Sequence, residues 1–258
     1  MRLWETASIV FFLYVAIAGA FGRRPERTRL LLYLGVGAGL LLVLVTWRLP
    51  YTFAVHDWLA PPAALLIAYW TSGLLFIAPR PAQERALAAF DEWLRIDDVA
   101  RRLPISLAHL LEAAYAGIYL LVPLALIVHL TLVPNPSAER FWNVILLTDF
   151  VCFGFLAFVQ TRPPRTMHSP DPWSSSARSF NLSMLGATSI QVNTFPSGHA
   201  AEALAAALFV IGAPWPIVLA VALAALAVSA GTVLGRYHYA ADAIAGWIVA
   251  LSIWTLLR

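Results

Sequence analysis

Hydrophobic residues along this chain fall in long blocks, at 4–21, 30–49, 63–78, 107–133, 141–160, 198–213, 216–235 and 240–257. Blocks close to the ~20 residues that a helix needs to cross a bilayer predict membrane helices. Two segments, 79–104 and 161–197, interrupt the pattern for long enough to be elements of their own. In the first, Leu87, Phe90, Trp93 and Leu94 recur at helical spacing among Glu84, Arg85, Asp91, Glu92 and Arg95. That predicts an amphipathic helix over 82–96, lying on the membrane surface. The second holds five prolines, three arginines and many Ser and Asn residues without periodicity, and predicts a long functional loop. The expected architecture is all-α: a polytopic membrane bundle of seven or eight hydrophobic helices with one interfacial helix. An N-terminal part, 1–105, would precede a helical core, 106–258, that carries the loop.

Composition strengthens this picture, since 60% of the 258 residues are hydrophobic and 12% charged. That is more apolar surface than one soluble core of this length can hide. Ala18-Gly19-Ala20 looks like a signal-peptide cleavage site, but Glu5 and a lone Arg2 make a poor basic leader, so the first block reads as a helix. The lone Cys152 excludes an intrachain disulfide. All 17 basic residues are arginine, so any cation that meets a phosphate is a guanidinium, able to donate two parallel hydrogen bonds. Partners expected from this composition are membrane lipids, not nucleic acid.

Candidate chemistry gathers in the second half. Thr194-Phe195-Pro196-Ser197-Gly198-His199 leads into an alanine-rich helix. A helix N-terminus with free N–H groups suits an anion, Gly198 lets a ligand approach the main chain, and Ser197 and His199 add a hydroxyl and a titratable imidazole. Further on, His238, Asp242 and Gly246 follow each other at intervals of four and share one helix face. A carboxylate one turn from an imidazole fixes its tautomer and leaves the other nitrogen as a nucleophile, while the glycine leaves room for a neighbouring helix. Arg162 and Arg165, in Thr161-Arg162-Pro163-Pro164-Arg165, end a hydrophobic block. They fit interfacial anchors and phosphate ligands equally. Asp149, inside a block, reads as an interhelical hydrogen bond, and Glu202 as a tuner of His199 or an interface carboxylate. His109 and Glu112 are placed to border a substrate pocket, and His129 reads as structural.

Arg-Pro, then Pro-Ser-Gly-His, then His-x-x-x-Asp, each at a helix end, resembles the type-2 phosphatidic acid phosphatase superfamily of lipid phosphatases and phosphotransferases. The likeness runs from Arg162 to Gly246. It implies a metal-independent enzyme without a cofactor, in which His238 attacks phosphorus, Asp242 orients it and His199 protonates the leaving oxygen. Ser197, Gly198 and arginines would hold the phosphate. Two cations common in the family are missing: Phe155 stands where lysine is usual, and Thr232 where arginine is usual. The altered pattern is similar to the branch with inositol phosphorylceramide synthases, so the expected function is a lipid phosphatase or phosphotransferase with a phosphohistidine intermediate. A catalytically inactive lipid-binding or transport protein of the same fold is the alternative. Arg165 and Arg178 are the expected phosphate clamps, followed by Arg162 and then Arg236.

Sidedness divides the indications. With eight spans, thirteen arginines fall on the face of the motifs and four on the other, which by the positive-inside rule is cytoplasmic. The resemblance implies an extracytoplasmic site on a cell (inner) membrane. A re-entrant or interfacial 63–78 segment, giving seven spans, would reconcile the two, and the extracytoplasmic face is the expectation.

Overall fold

In lipid every backbone N–H and C=O must find a partner within the protein, which a helix provides along its own length. The apolar blocks accordingly fold as helices in the computed structural model, which describes residues 1–167 and 171–257. The helices are α1 (Leu3–Ala20), α2 (Glu26–Arg48), α3 (Ala60–Gly73), α4 (Pro81–Trp93), α5 (Ile96–Arg101) and α6 (Ile105–Leu132). They continue with α7 (Ala138–Gly154), α8 (Ser176–Thr188), α9 (Gly198–Phe209), α10 (Trp215–Leu234) and α11 (Ala240–Leu256). There is no strand among the described residues. Five of the helices, α1, α2, α6, α7 with its 3-10 extension, and α10, are long and apolar enough to cross a membrane.

α7 is the helix shared by two groups, packing on α1 and α3 on one side and on α9 and α11 on the other. α9 lies at the centre of the second group, against α6, α7, α10 and α11. Its buried Ala200, Ala201, Ala203, Ala205 and Ala206 explain that position, because small side chains let helices approach closely in a membrane protein. Leu13, Ile17, Leu34, Leu120, Leu124, Leu223 and Ile248 point outward and are exposed, as a lipid-facing surface requires.

Three expectations change. The 161–197 segment is not loop throughout, since α8 forms within it; residues 168–170 of that segment lie outside the described residues. Ser175 caps α8 by accepting the Arg178 N–H at 3.0 Å, and Leu182 and Leu185 pack toward Tyr115 and Tyr237. The prolines clustered upstream of Ser175 mask this short periodicity in the sequence.

The 63–78 block does not turn back. A π-helical turn, Ala54–Leu59, runs straight into α3. Its first residues meet the start of α7, where Trp142 donates to the Asp57 carbonyl at 2.7 Å. At its far end Trp70 donates to the Thr188 carbonyl at 2.9 Å. As a result the arginine-rich 23–29 linker sits at the same end as the 161–197 segment: Arg24 donates to the Leu75 carbonyl at 2.8 Å, and so does Gln160 at 3.2 Å.

Finally, α4 is amphipathic as expected but serves as more than a surface float. Its Glu84 and Asp91 are buried. They hold Arg162 and Arg236 at the end of the bundle that carries the motifs.

Candidate active site

Two chain reversals bring the motifs together. At the start of α9, the Ser197 hydroxyl accepts from the Ala200 N–H at 3.4 Å, while the Ser197 N–H donates to the Asp242 carbonyl at 2.9 Å. This ties the start of α9 to the first turn of α11. A Cβ on Gly246 would lie 2.5 Å from the Ser197 carbonyl, so only glycine lets the two helices cross here.

After α10 the chain turns through Gly235 and Arg236, the latter at φ 62. Tyr237 and His238 both donate their N–H to the Thr232 carbonyl at 2.9 Å. Thr232, where the resemblance expects a cation, is buried, and its hydroxyl donates to the Ser229 carbonyl at 2.7 Å. It shapes the turn that presents His238 and adds no charge.

His238 Nδ1 stands 3.5 Å from Asp242 Oδ2, itself fixed by the Tyr239 N–H at 2.8 Å. The Nδ1 has no other partner. A separation slightly beyond a hydrogen bond is usual for catalytic pairs without substrate. Burial, helped by the Arg165 charge and opposed by a backbone hydrogen bond at Thr194, holds the His238 imidazole down to about 3, so the ring is neutral. The His199 ring lies 6.0 Å from that of His238, stacked on Tyr115 at 5.2 Å, with its buried Nε2 unpaired. Both imidazoles face one cavity of about 310 Å³.

The four candidate arginines separate sharply. Arg165 is on the cavity wall. Its N–H donates to the Arg236 carbonyl at 2.8 Å, its guanidinium lies 5.7 Å from the Tyr237 ring centre, and no carboxylate pairs with it among the described residues. Arg178 is placed elsewhere: buried, it donates to Glu112 at 3.1 Å, to Asp171 at 2.7 Å and to the Gly235 carbonyl at 3.0 Å. Arg162 forms a two-pronged pair with Glu84, at 2.9 Å on each prong, which holds that carboxyl below its usual range. Arg236 faces away, toward Asp91 at 2.8 Å and Asp97 at 3.3 Å. Carboxylates from α4, α5, α6 and the loop thus occupy three of the four guanidiniums.

Sequence reasoning missed the aromatic wall. Tyr69 and Trp70 of α3, Tyr115 and Tyr119 of α6, Phe153 of α7 and Tyr237 all line the cavity, with Leu65, Leu66, Met184 and Leu185 toward its apolar side. Aromatic residues inside apolar blocks carry no local signal that separates a pocket wall from a lipid contact. Asp149 and Glu202 line the cavity too. Glu112, read as a pocket border, lies behind the wall and anchors the Tyr237 hydroxyl at 2.6 Å. His129 is structural, bridging the Phe209 carbonyl at 2.9 Å and the Ser137 N–H at 3.1 Å.

The family model of the PAP2 superfamily matches residues 85–256, a stretch that includes both histidines, Asp242 and Arg165. No curated protein and no solved structure matches the chain.

Proposed function

The chain belongs to the PAP2 superfamily, membrane proteins of phosphatase type, and from that premise we propose that it cleaves or transfers the phosphate group of a lipid through a phosphohistidine on His238. The observation that carries the reading is one cavity lined by two neighbouring imidazoles, one of them backed by Asp242, and by a guanidinium without a carboxylate partner, together with apolar side chains.

The His238 lone pair attacks phosphorus as the ester P–O bond breaks, and His199, which takes up a proton as the phosphate anion enters the cavity, gives that proton to the departing oxygen. Asp242 orients the His238 ring and stabilises its charge. Arg165 and the main-chain N–H of Gly198, both on the cavity wall, meet the charge that builds on the phosphoryl oxygens, while Ser197 is buried and its N–H is spent on the Asp242 carbonyl. In the second half-reaction water or an alcohol attacks, His199 takes its proton, and the P–N bond to His238 breaks. The apolar wall suits the chain of a lipid.

In solubilised enzyme, His238→Ala should abolish phosphatidate turnover with the fold intact. Unchanged turnover would remove the nucleophile. Whether water or alcohol completes the cycle is decided by product analysis with and without a lipid or polyol acceptor: obligate transfer, as in the inositol phosphorylceramide synthase branch, would yield no free phosphate without acceptor.

Phe155 and Thr232 in place of cations favour a second reading, a lipid binder without turnover. Tight lipid binding with no product across a broad lipid panel would establish it.

The contacts that bring the arginine-rich 23–29 linker and the 161–197 segment to one end of the bundle support an arrangement other than the seven-span one. Thirteen of the 17 arginines sit at that end in the chain's order of helices, which argues for the cytoplasmic face. Labelling a Ser175→Cys variant from each side tests this, and labelling only from outside would reverse it.

A further inference from the structure

The catalytic steps leave two cavity carboxyls without a task. Asp149 of α7 and Glu202 of α9, two helices packed on each other, both line the cavity. Like charges facing one low-dielectric cavity disfavour a second ionisation, so the two carboxyls carry at most one negative charge between them. Asp149 is fully buried, and no N–H or hydroxyl among the described residues reaches either of its oxygens. Nor does any arginine form an ion pair with the two. An intramembrane charge in this state is costly unless a counter-charge joins it.

Aromatic rings surround the pair. Phe153 and Asp149 crowd the same side of Gly198, at 3.2 and 3.1 Å from where its Cβ would be. The Tyr69 ring lies 5.6 Å from Phe153, and Tyr119 packs edge-on to His199 at 6.0 Å. A cation finds ring faces and one negative charge.

We propose that Asp149 and Glu202, with Tyr69, Tyr119 and Phe153, form a subsite for the ammonium group of a phospholipid headgroup whose phosphate lies at Arg165. This rests on the phosphate-site reading for the ligand's orientation but not for the existence of the subsite. A lipid is favoured over a soluble phosphoamino alcohol because Leu65, Leu66, Met184 and Leu185 wall the same cavity.

The test is calorimetric titration of the full chain in non-ionic detergent with choline and with its neutral isostere, 3,3-dimethyl-1-butanol. Choline should bind tighter by about tenfold or more. Each single amide variant, Asp149→Asn or Glu202→Gln, keeps one carboxyl to carry the charge and should retain choline. The double variant loses the charge and should lose choline binding by about tenfold or more. Equal binding of choline and its isostere, or an unaffected double variant, would overturn the subsite. Should the double variant not fold, the comparison of the two ligands on the native chain still decides. Phosphatidylcholine micelles should displace choline at lower concentration than phosphocholine does, and the reverse order would overturn the assignment to a lipid. His238→Ala enzyme, which has no nucleophile, should bind choline as the native chain does, so a failure of the phosphatase reading leaves this result standing, and loss of choline binding there would contradict a separate subsite.

Discussion

Two buried polar clusters lie back to back across the Tyr237 ring, and they differ in one respect. Behind the ring, Glu112 accepts from Trp173 at 2.8 Å, Arg178 at 3.1 Å, Asn181 at 2.6 Å and the Tyr237 hydroxyl at 2.6 Å. In front of it, His199 Nε2, His238 Nδ1 and both Asp149 oxygens are buried without a hydrogen-bond partner among the described residues. Buried polar groups are normally satisfied, and those that are not mark strain or a ligand's place. The contrast teaches where this protein spends polar groups on its own architecture and where it holds them open for chemistry.

The sharpest way to break the comparison is to remove one member from each side. His238→Ala should lower turnover by about 10⁴-fold or more, as loss of a covalent nucleophile does, with the unfolding temperature close to native. Arg178→Ala should do the opposite, leaving Glu112 buried without its cation at a cost of about 3–5 kcal/mol. Thermal unfolding in detergent reads that loss, and a stable Arg178→Ala protein that has lost only turnover would move Arg178 into the catalytic cluster. Arg165→Ala should lower kcat/KM by roughly 10²–10³, the range for removing one transition-state donor, without destabilisation. Arg162→Ala should have the smallest effect, because its pair with Glu84 is half open to solvent. A large loss of activity there would show that α4 positions the site through Glu84.

The same contrast explains what could be read from the chain. The apolar blocks and the spacing of His199, His238, Asp242 and Gly246 are local patterns, so the helices and the motif face were legible. Partner choice among arginines is not local. Arg178 looked like a free loop cation because nothing near it in sequence reveals Glu112, which approaches from α6. Arg236 and Arg162 were open candidates for the same reason, their partners Asp91 and Glu84 coming from α4. Arg165 was legible as a cation at a helix end, but only the fold, which puts it on the cavity wall and pairs Arg162 with Glu84, separates it from Arg162, three residues earlier. The aromatic wall from α3 and α6 stayed hidden because Tyr69 and Tyr115 sit in apolar blocks that suit lipid equally well.

The central claim is that His238 carries the phosphoryl group. Enzyme mixed briefly with a ³²P-labelled lipid phosphate, quenched in alkali to preserve phosphoramidate bonds and digested, should yield label on the peptide that contains His238. The label should be absent from His238→Ala enzyme and removed by acid. Label on His199 or a carboxylate, or undiminished label in the His238→Ala enzyme, would contradict the account.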